Sequence, residues 1–521
     1  MYGHPAILDA SPRRRWRDPR RIGYGAGKEA AAEPNPEAAR NPVSSTLSAP
    51  AQTGALRQPG GVLLVSCYEL GHQPLSLAAP AAALRHAGFA PATVDTSVEP
   101  LDDAAVRAAR LVAVAVPMHT ALRLGTRVAD RVRALNPDAH VCFHGLYATL
   151  NAEHLLRAHG DSVVSGEVEA PLVALAVALD RGEPAESVPG IGTRARPAGP
   201  VLQPLPDDLR ALAPDRSGLP GLRQYAGLER DGTIVPAGYL EATRGCHHLC
   251  RHCPIPPIYG GRFHVVPRPT VVADARAQVA AGARHLTFGD PDFFNGPGHG
   301  LRIMRELRAE FPFVTFDATI KVEHLLQHAA RLPELAELGC AFVVSAVESV
   351  NPAVLERLGK GHTRADVAAA LDLLDAVGVP MRPSLMPFSP WETLASYREL
   401  LAFVEEHDLV ECIDPVHFAI RLLVPPGSSL LAEPESADWL GELDAANFTY
   451  RWHHADPRMD ALHRTVSAVA EAAAASGEPA RATFARIDAA ARAAAGLPAD
   501  LRPLPPARRR RPPRLTESWF C

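Results

Sequence analysis

Three cysteines, Cys246, Cys250 and Cys253, stand together in the stretch EATRGCHHLCRHCPIPPIYGG. That spacing lets one short loop present three thiolates to a single metal centre. Three thiolates can hold three irons of a four-iron cubane and leave the fourth without a protein ligand, open to a small molecule. Gly245 before the first cysteine and Pro254 after the last keep the loop out of helix. Two other chemistries use the same residues. A zinc site would recruit His247, His248 or His252 beside the thiols. The CRHC segment also has the spacing of a dithiol redox motif. Position favours the cluster, because the loop follows the first strand of a six-fold strand–helix alternation.

The rest of the chain must position that loop. Its 521 residues exceed what one hydrophobic core supports, so two or three domains are expected. A net charge of −5 argues against binding nucleic acid by bulk electrostatics. The only lysines are Lys28, Lys321 and Lys360; arginine carries the remaining positive charge. No apolar run is long enough to span a bilayer, and the N-terminus lacks the apolar core of a secretory signal, which together predict a cytoplasmic protein without membrane contact. Of eight cysteines, three are bunched and the rest scattered. That pattern reads as one metal or redox site plus free thiols in a reducing compartment.

Residues 1–59 are rich in Ala, Pro and Arg without periodicity and read as disordered. Order is expected from Val62. Residues 60–182 alternate apolar strands with helical patterns, as in a flavodoxin-like, doubly wound parallel sheet. In such a sheet ligands sit beyond the carboxyl ends of the strands. Residues 183–235 read as an ordered linker. A second alternation over 236–435, with strands at 238–243, 284–289, 313–317, 341–347, 380–386 and 415–421, predicts a partial (β/α)6 barrel with chemistry at its strand ends. Residues 436–500 read as helical, and 501–521 as a Pro/Arg-rich solvated tail.

Cysteine spacing, placement on the first barrel strand and the preceding flavodoxin-like domain resemble the radical S-adenosylmethionine (SAM) enzymes of the cobalamin-binding class, over roughly residues 60–435. The resemblance implies a 4Fe–4S cluster on Cys246, Cys250 and Cys253. Its open iron would chelate the amino and carboxylate groups of SAM, and an electron from a flavodoxin- or ferredoxin-type donor would cleave the sulfonium. It implies radical methylation or rearrangement of an unknown substrate. His252 replaces the usual aromatic residue near adenine. Gly289, Asp290 and Asp292 in TFGDPDFFN stand where the SAM ammonium is met, unless Asp290-Pro291-Asp292 is only a turn. Glu348 and Ser349 fall at the position that contacts ribose. Asp317, Lys321 and Glu323 lie at or just past the third strand. Arg382 and Arg421, inside apolar strands, need anionic partners: a SAM or substrate carboxylate, or a structural acid.

In the first domain the resemblance implies cobalamin, with Gly145, Tyr147, Gly166 and Glu167 at strand ends where the nucleotide tail could run. The usual D-x-H-x-x-G ligand motif is replaced by SCYELGH, leaving Cys67 and His72 as the only candidate ligands. The expectation is a cobalamin-type domain without the lower-ligand histidine, either holding cobalamin with no protein ligand or vestigial. The terminal LTESWFC, with RHCPIPPIYGGRF, RPSLMPFSPWET and AIRLLVPPGSSLL, is similar to a narrower group, the CUAEP/CCAEP-tail radical SAM proteins, which end in Cys-Sec or Cys-Cys before Ala-Glu-Pro. Cys521 then reads as the first half of a Cys–Sec pair, a tail nucleophile or redox group, in a gene continuing through a selenocysteine codon.

Overall fold

The structure is a computed structural model that describes residues 54–197, 205–499 and 502–517. The disordered-extension reading of residues 1–53 and the tail reading of Cys521 lie outside the described residues. Order begins earlier than residue 60. Ala55–Arg57 form a 3-10 turn that buries Leu56, and Arg57 pairs with Asp180 at 2.9 Å.

The N-terminal domain has strands β1 (Val62–Ser66), β2 (Ala92–Asp95), β3 (Leu111–Ala115), β4 (His140–His144), β5 (Ser162–Val164) and β6 (Ile191–Thr193). Their order in the sheet is β2-β1-β3-β4-β5-β6. The first five run parallel in the flavodoxin order, and only β6 is antiparallel, against β5. The VLLVS and LVAVA runs of β1 and β3 are buried throughout, as expected of central strands covered on both faces. The segment expected to begin a linker at 183 thus contributes β6 to this sheet.

The second domain opens with a hairpin, β7 (Gly227–Arg230) and β8 (Thr233–Leu240), then β9 (Thr243–Gly245) and β10 (Phe263–Val265), which pair antiparallel around the cysteine loop. β11 (His285–Phe288), β12 (Thr315–Thr319), β13 (Cys340–Glu348) and β14 (Met381–Leu385) continue a parallel sheet from β8, each pair joined through helices. The expected sixth strand at 415–421 is reduced. Pro415–Phe418 form a 3-10 turn, Pro415 having no N–H for a ladder, and one parallel bridge joins Phe388 to Arg421. The result is a curled half-barrel.

Two further departures concern the C-terminal part. A hairpin, β15 (Leu440–Asp444) and β16 (Thr449–Trp452), precedes the long helices Pro457–Ser476 and Ala480–Ala494. The Pro/Arg tail is not a free tether within the described residues. Its β17 (Arg514–Leu515) pairs antiparallel with β7, so the sheet runs β14-β13-β12-β11-β8-β7-β17. Arg509 pairs with Asp375, Arg514 with Glu229, and Pro513 O accepts from Arg382 Nη1 at 3.2 Å. β17 and β14, the two ends of the sheet, are therefore bridged by one arginine.

Candidate functional site

The cysteine loop leaves β9 through Gly245, whose φ is +81°. A Cβ there would lie 2.5 Å from the Tyr259 ring and 2.6 Å from Arg262 O, so only glycine fits. All three thiols are free; Cys246 and Cys250 are buried and Cys253 half-buried. Burial pushes the Cys253 thiol up to about 12, which a metal's positive charge would offset. Three free thiols on one loop are the donor set a cluster needs.

Asn295, which sequence reasoning missed, anchors the loop. Its Oδ1 lies 3.7 Å from Cys246 Sγ and 3.5 Å from His247 N, and its Nδ2 donates to Gly245 O at 3.3 Å. The only hint was its place at the end of TFGDPDFFN. At the far end of the loop, Arg251 N donates to Leu358 O at 2.9 Å. His252 Nε2 lies 3.3 Å from Glu348 Oε1, and Lys360 Nζ lies 3.4 Å from the same oxygen. Burial would raise the Glu348 carboxyl; Lys360 and His252 overcome it and hold the group down at about 2. Glu348 sits at φ +64°, a costly conformation for a non-glycine residue that the surrounding contacts must enforce. Ser349 is turned away, its hydroxyl donating to buried Glu392 at 3.0 Å.

The two aspartates after β11 are satisfied within the protein. Asp290 accepts from Ala242 N at 2.9 Å and Thr243 Oγ1 at 2.6 Å, and burial raises its carboxyl to about 6. Asp292 caps Phe294 N at 2.9 Å and lies 2.8 Å from His324 Nδ1. Against the cost of burial, His248 and His324 hold Asp292 at about 2. The DPD segment thus ties the β8–β9 junction, the cysteine loop and the helix after β12 together. Gly289 lines the cavities on both sides of it, and a Cβ there would meet Tyr239 Oη at 2.1 Å.

His247, His248 and His324 bring one ring nitrogen each within 4.8 Å of one another. The Lys321 ammonium, 3.1 Å from His248 Nδ1 and 2.9 Å from Glu323, already places a cation against that trio. Of the histidines foreseen as zinc partners of the cysteines, His252 meets Glu348, His248 meets Lys321 and Asp292, and His247 groups with His248 and His324.

Both arginines have structural acids as partners, one of the alternatives open for Arg382 and Arg421. Arg382 pairs with Asp414. Arg421 meets Asp460 at 2.7 Å, Trp452 O at 2.7 Å and the Trp452 ring at 3.5 Å.

A cavity of about 360 Å³ lies between the two domains. Gly145, Gly166 and Glu167 line it from the strand ends of the first domain, and Gly245 and Tyr259 from the cysteine loop side. Tyr147 does not line it; the side chain packs in the core of its own domain, edge-on to His119. Glu167 accepts from Tyr259 Oη at 3.0 Å and pairs with Arg244 at 2.8 Å. Arg244 also meets Glu169 at 2.7 Å and, within its own domain, Glu241 at 3.1 Å, so one guanidinium joins the domains through Glu167 and Glu169. Neither Cys67 nor His72 lines this cavity. Cys67 is buried in its domain, which pushes its thiol up to about 11, and His72 points into the half-barrel. His144, at the end of β4, does line it, buried and with its Nε2 unpartnered, so the lining offers one imidazole that the sequence pattern did not single out.

Residues 61–176 match the B12 binding domain and residues 240–404 the Radical SAM superfamily. The chain thus carries a B12 binding domain followed by a Radical SAM domain. Among curated relatives it is 25% identical to an uncharacterized methyltransferase of Pyrococcus horikoshii, over 57% of this chain and 64% of that one. It is 26% identical to the ribosomal protein uS12 methylthiotransferase RimO of Geobacter sulfurreducens, over 32% of this chain and 39% of that one. These matches span less than two thirds of either relative. In fold it is similar to the radical SAM methyltransferase TsrM from Kitasatospora setae with cobalamin and [4Fe–4S] cluster bound, at TM-score 0.52, 20% identity and 67% and 73% coverage of the two chains. It is also similar to the cobalamin-dependent radical enzyme OxsB with aqua-cobalamin and SAM bound, at TM-score 0.59, 14% identity and 79% and 66% coverage. Among the described residues no helix is long and apolar enough to cross a membrane.

Proposed function

We propose that this protein is a cobalamin-dependent radical SAM methyltransferase. One observation carries the reading: Gly245 and Ile255, which flank the three-cysteine loop, line the same cavity as the strand ends of the B12-binding domain. Cys246, Cys250 and Cys253 would hold the 4Fe–4S cluster, and the interdomain cavity the corrin. When bound, the cluster supplies electrons to SAM and cobalamin supplies methyl-transfer chemistry.

The chain's own residues bind, orient and exclude water. Asn295 fixes the path of the loop at Cys246. His252 and Lys360 converge on Glu348 Oε1, which leaves Oε2 to accept from a ribose hydroxyl of SAM. Ser349 positions Glu392 and the turn at Asn351 rather than the ligand. Asp290 and Asp292 set the backbone after Gly289, which approaches Tyr239 closely, and act on SAM only through that backbone. Gly145, Gly166 and Glu167 form the first domain's side of the cavity. The tail thiol of Cys521 would act as a nucleophile or redox group. The free thiols and paired arginines suit a reducing cytoplasm, where a flavodoxin or ferredoxin would deliver the electrons.

The test is turnover by anaerobically reconstituted protein given reductant, cobalamin and SAM labelled in its methyl group. The expected result is label on the protein's corrinoid, lost when Cys246, Cys250 and Cys253 are replaced by alanine. Unlabelled corrinoid in the wild type, or labelling that survives the triple replacement, overturns the reading.

A further inference from the structure

A second cavity, of about 200 Å³, lies inside the half-barrel and is separate from the interdomain one except where Leu70, Tyr239, Gly289 and Pro291 border both. Its polar groups include Thr287 on β11 and Asp290 just after it, Asp317 and Thr319 on β12, Arg382 on β14 with its partner Asp414, and His72, which reaches in from the first domain. Phe342, Val344 and Leu515 make much of the remaining wall apolar.

Asp317 is held in place from one side only. It is buried, and a single oxygen, Oδ1, takes both His285 Nε2 and Thr287 Oγ1 at 2.7 Å. His285 is itself fixed by Thr315 Oγ1 at 2.9 Å, so the dyad is oriented from the far side of the strand. Among the described residues no hydrogen bond reaches Asp317 Oδ2. His72 lines the same cavity. The imidazole is 4% exposed and stacks on Tyr239 with ring centroids 4.5 Å apart, and its Nδ1 has no partner. Burial holds the ring down at about 4, so it is neutral and has a lone pair to offer; Asp317 is the strongest charge acting on it. A buried polar atom without a partner costs free energy that a ligand can recover.

The charges decide the sign of that ligand. Arg382, the cavity's cation, is consumed by Asp414 and by Pro513 O of the tail. Asp317 has only the His285 imidazole and the Thr287 hydroxyl as partners, both on Oδ1, and Asp290 is turned to Ala242 N and Thr243 Oγ1. An anion entering here would meet a carboxylate and find no free guanidinium. An ammonium or amide N–H would find acceptors on two sides.

We propose that the half-barrel cavity is the substrate subsite and that it takes a small apolar molecule carrying an ammonium or amide N–H, anchored by Asp317 Oδ2 and the His72 imidazole. The proposal rests on the methyltransferase reading for the word substrate, but its chemistry is tested without turnover. Phenethylammonium and phenylacetate, of matching size and opposite charge, are titrated into the anaerobically purified full-length holoprotein by calorimetry. Phenethylammonium is expected to bind, and phenylacetate at least about tenfold more weakly. D317N is expected to weaken phenethylammonium about tenfold, and H72F, which keeps the stack on Tyr239, to weaken it severalfold.

Equal binding of the two probes, or a preference for phenylacetate, overturns the proposal. So does unchanged affinity in D317N. If D317N fails to fold, the contrast between the two probes on wild-type protein still decides. Amine binding by a protein that transfers no methyl group would overturn the functional reading and leave the cavity's chemistry standing. Methyl transfer with no amine binding would do the reverse.

Discussion

His252 Nε2 lies 3.3 Å from Glu348 Oε1, tying the cluster loop to the end of β13 at a glutamate held in left-handed backbone. Lys360, buried beside them, depends on the same carboxylate. Glu348→Ala should leave a buried ammonium unpaired and cost about 3–5 kcal/mol of stability. Glu348→Gln keeps the shape and should lose much less. Both variants should retain iron but bind SAM about tenfold more weakly, read by equilibrium dialysis. Unchanged SAM affinity in the glutamine variant would remove Glu348 from the SAM site.

Asn295 should matter to the cluster although it is not a ligand. Asn295→Ala strips partners from Gly245 O and His247 N at the point where the loop leaves β9. The loss is about 1–3 kcal/mol of local order. Iron and sulfide per chain after anaerobic reconstitution should fall, while the folded baseline of the circular dichroism spectrum stays. Full iron loading would show that the loop holds its path without Asn295.

The join between the domains should respond to pH through Glu241. Burial raises its carboxyl from 4.5 to about 7, against the pull of Arg244. Folded protein therefore holds this proton more tightly than unfolded protein does. Its contribution is fully favourable below about 4.5 and is lost as pH rises to about 7. Arg244 keeps Glu167 and Glu169 when Glu241→Gln is made. That variant should thus gain melting temperature over wild type at pH 8 and match it at pH 5. A difference that does not vary between those pH values contradicts the assignment.

The tail should behave as a strand. Removing residues 502–521 takes β17 from β7 and the Pro513 carbonyl from Arg382. Hydrogen exchange at Leu228 and its β7 neighbours should speed up, while β1 and β3 stay protected. Unchanged exchange on β7 would mean that the pairing contributes nothing to that edge.

Much of this architecture was legible in the sequence because it is local. VLLVS and LVAVA are continuous apolar runs of strand length bounded by turns, and the cysteine spacing lies within eight residues. What escaped was non-local or overridden. β17 has two residues in a Pro/Arg segment whose composition suits a tether, and only β7 across the sheet makes it a strand. The hairpin at 440–452 lies between Pro-rich turns and helices and has no strong alternation. His72 was weighed as a cobalamin ligand because it follows β1, but only the docking of the domains turns it onto Tyr239. Arg382 and Arg421 were correctly expected to need anions, yet Asp414 and Asp460 lie 32 and 39 residues away, and spacing does not reveal such pairs.

The most direct test of the central claim is the electron paramagnetic resonance of the reduced, anaerobically reconstituted protein with and without SAM, alongside iron and sulfide analysis. The account predicts about four irons and four sulfides per chain, a 4Fe–4S signal that changes when SAM is added, and loss of both in the C246A/C250A/C253A variant. A colourless protein that carries zinc without sulfide, or a cluster signal that SAM leaves unchanged, would contradict it.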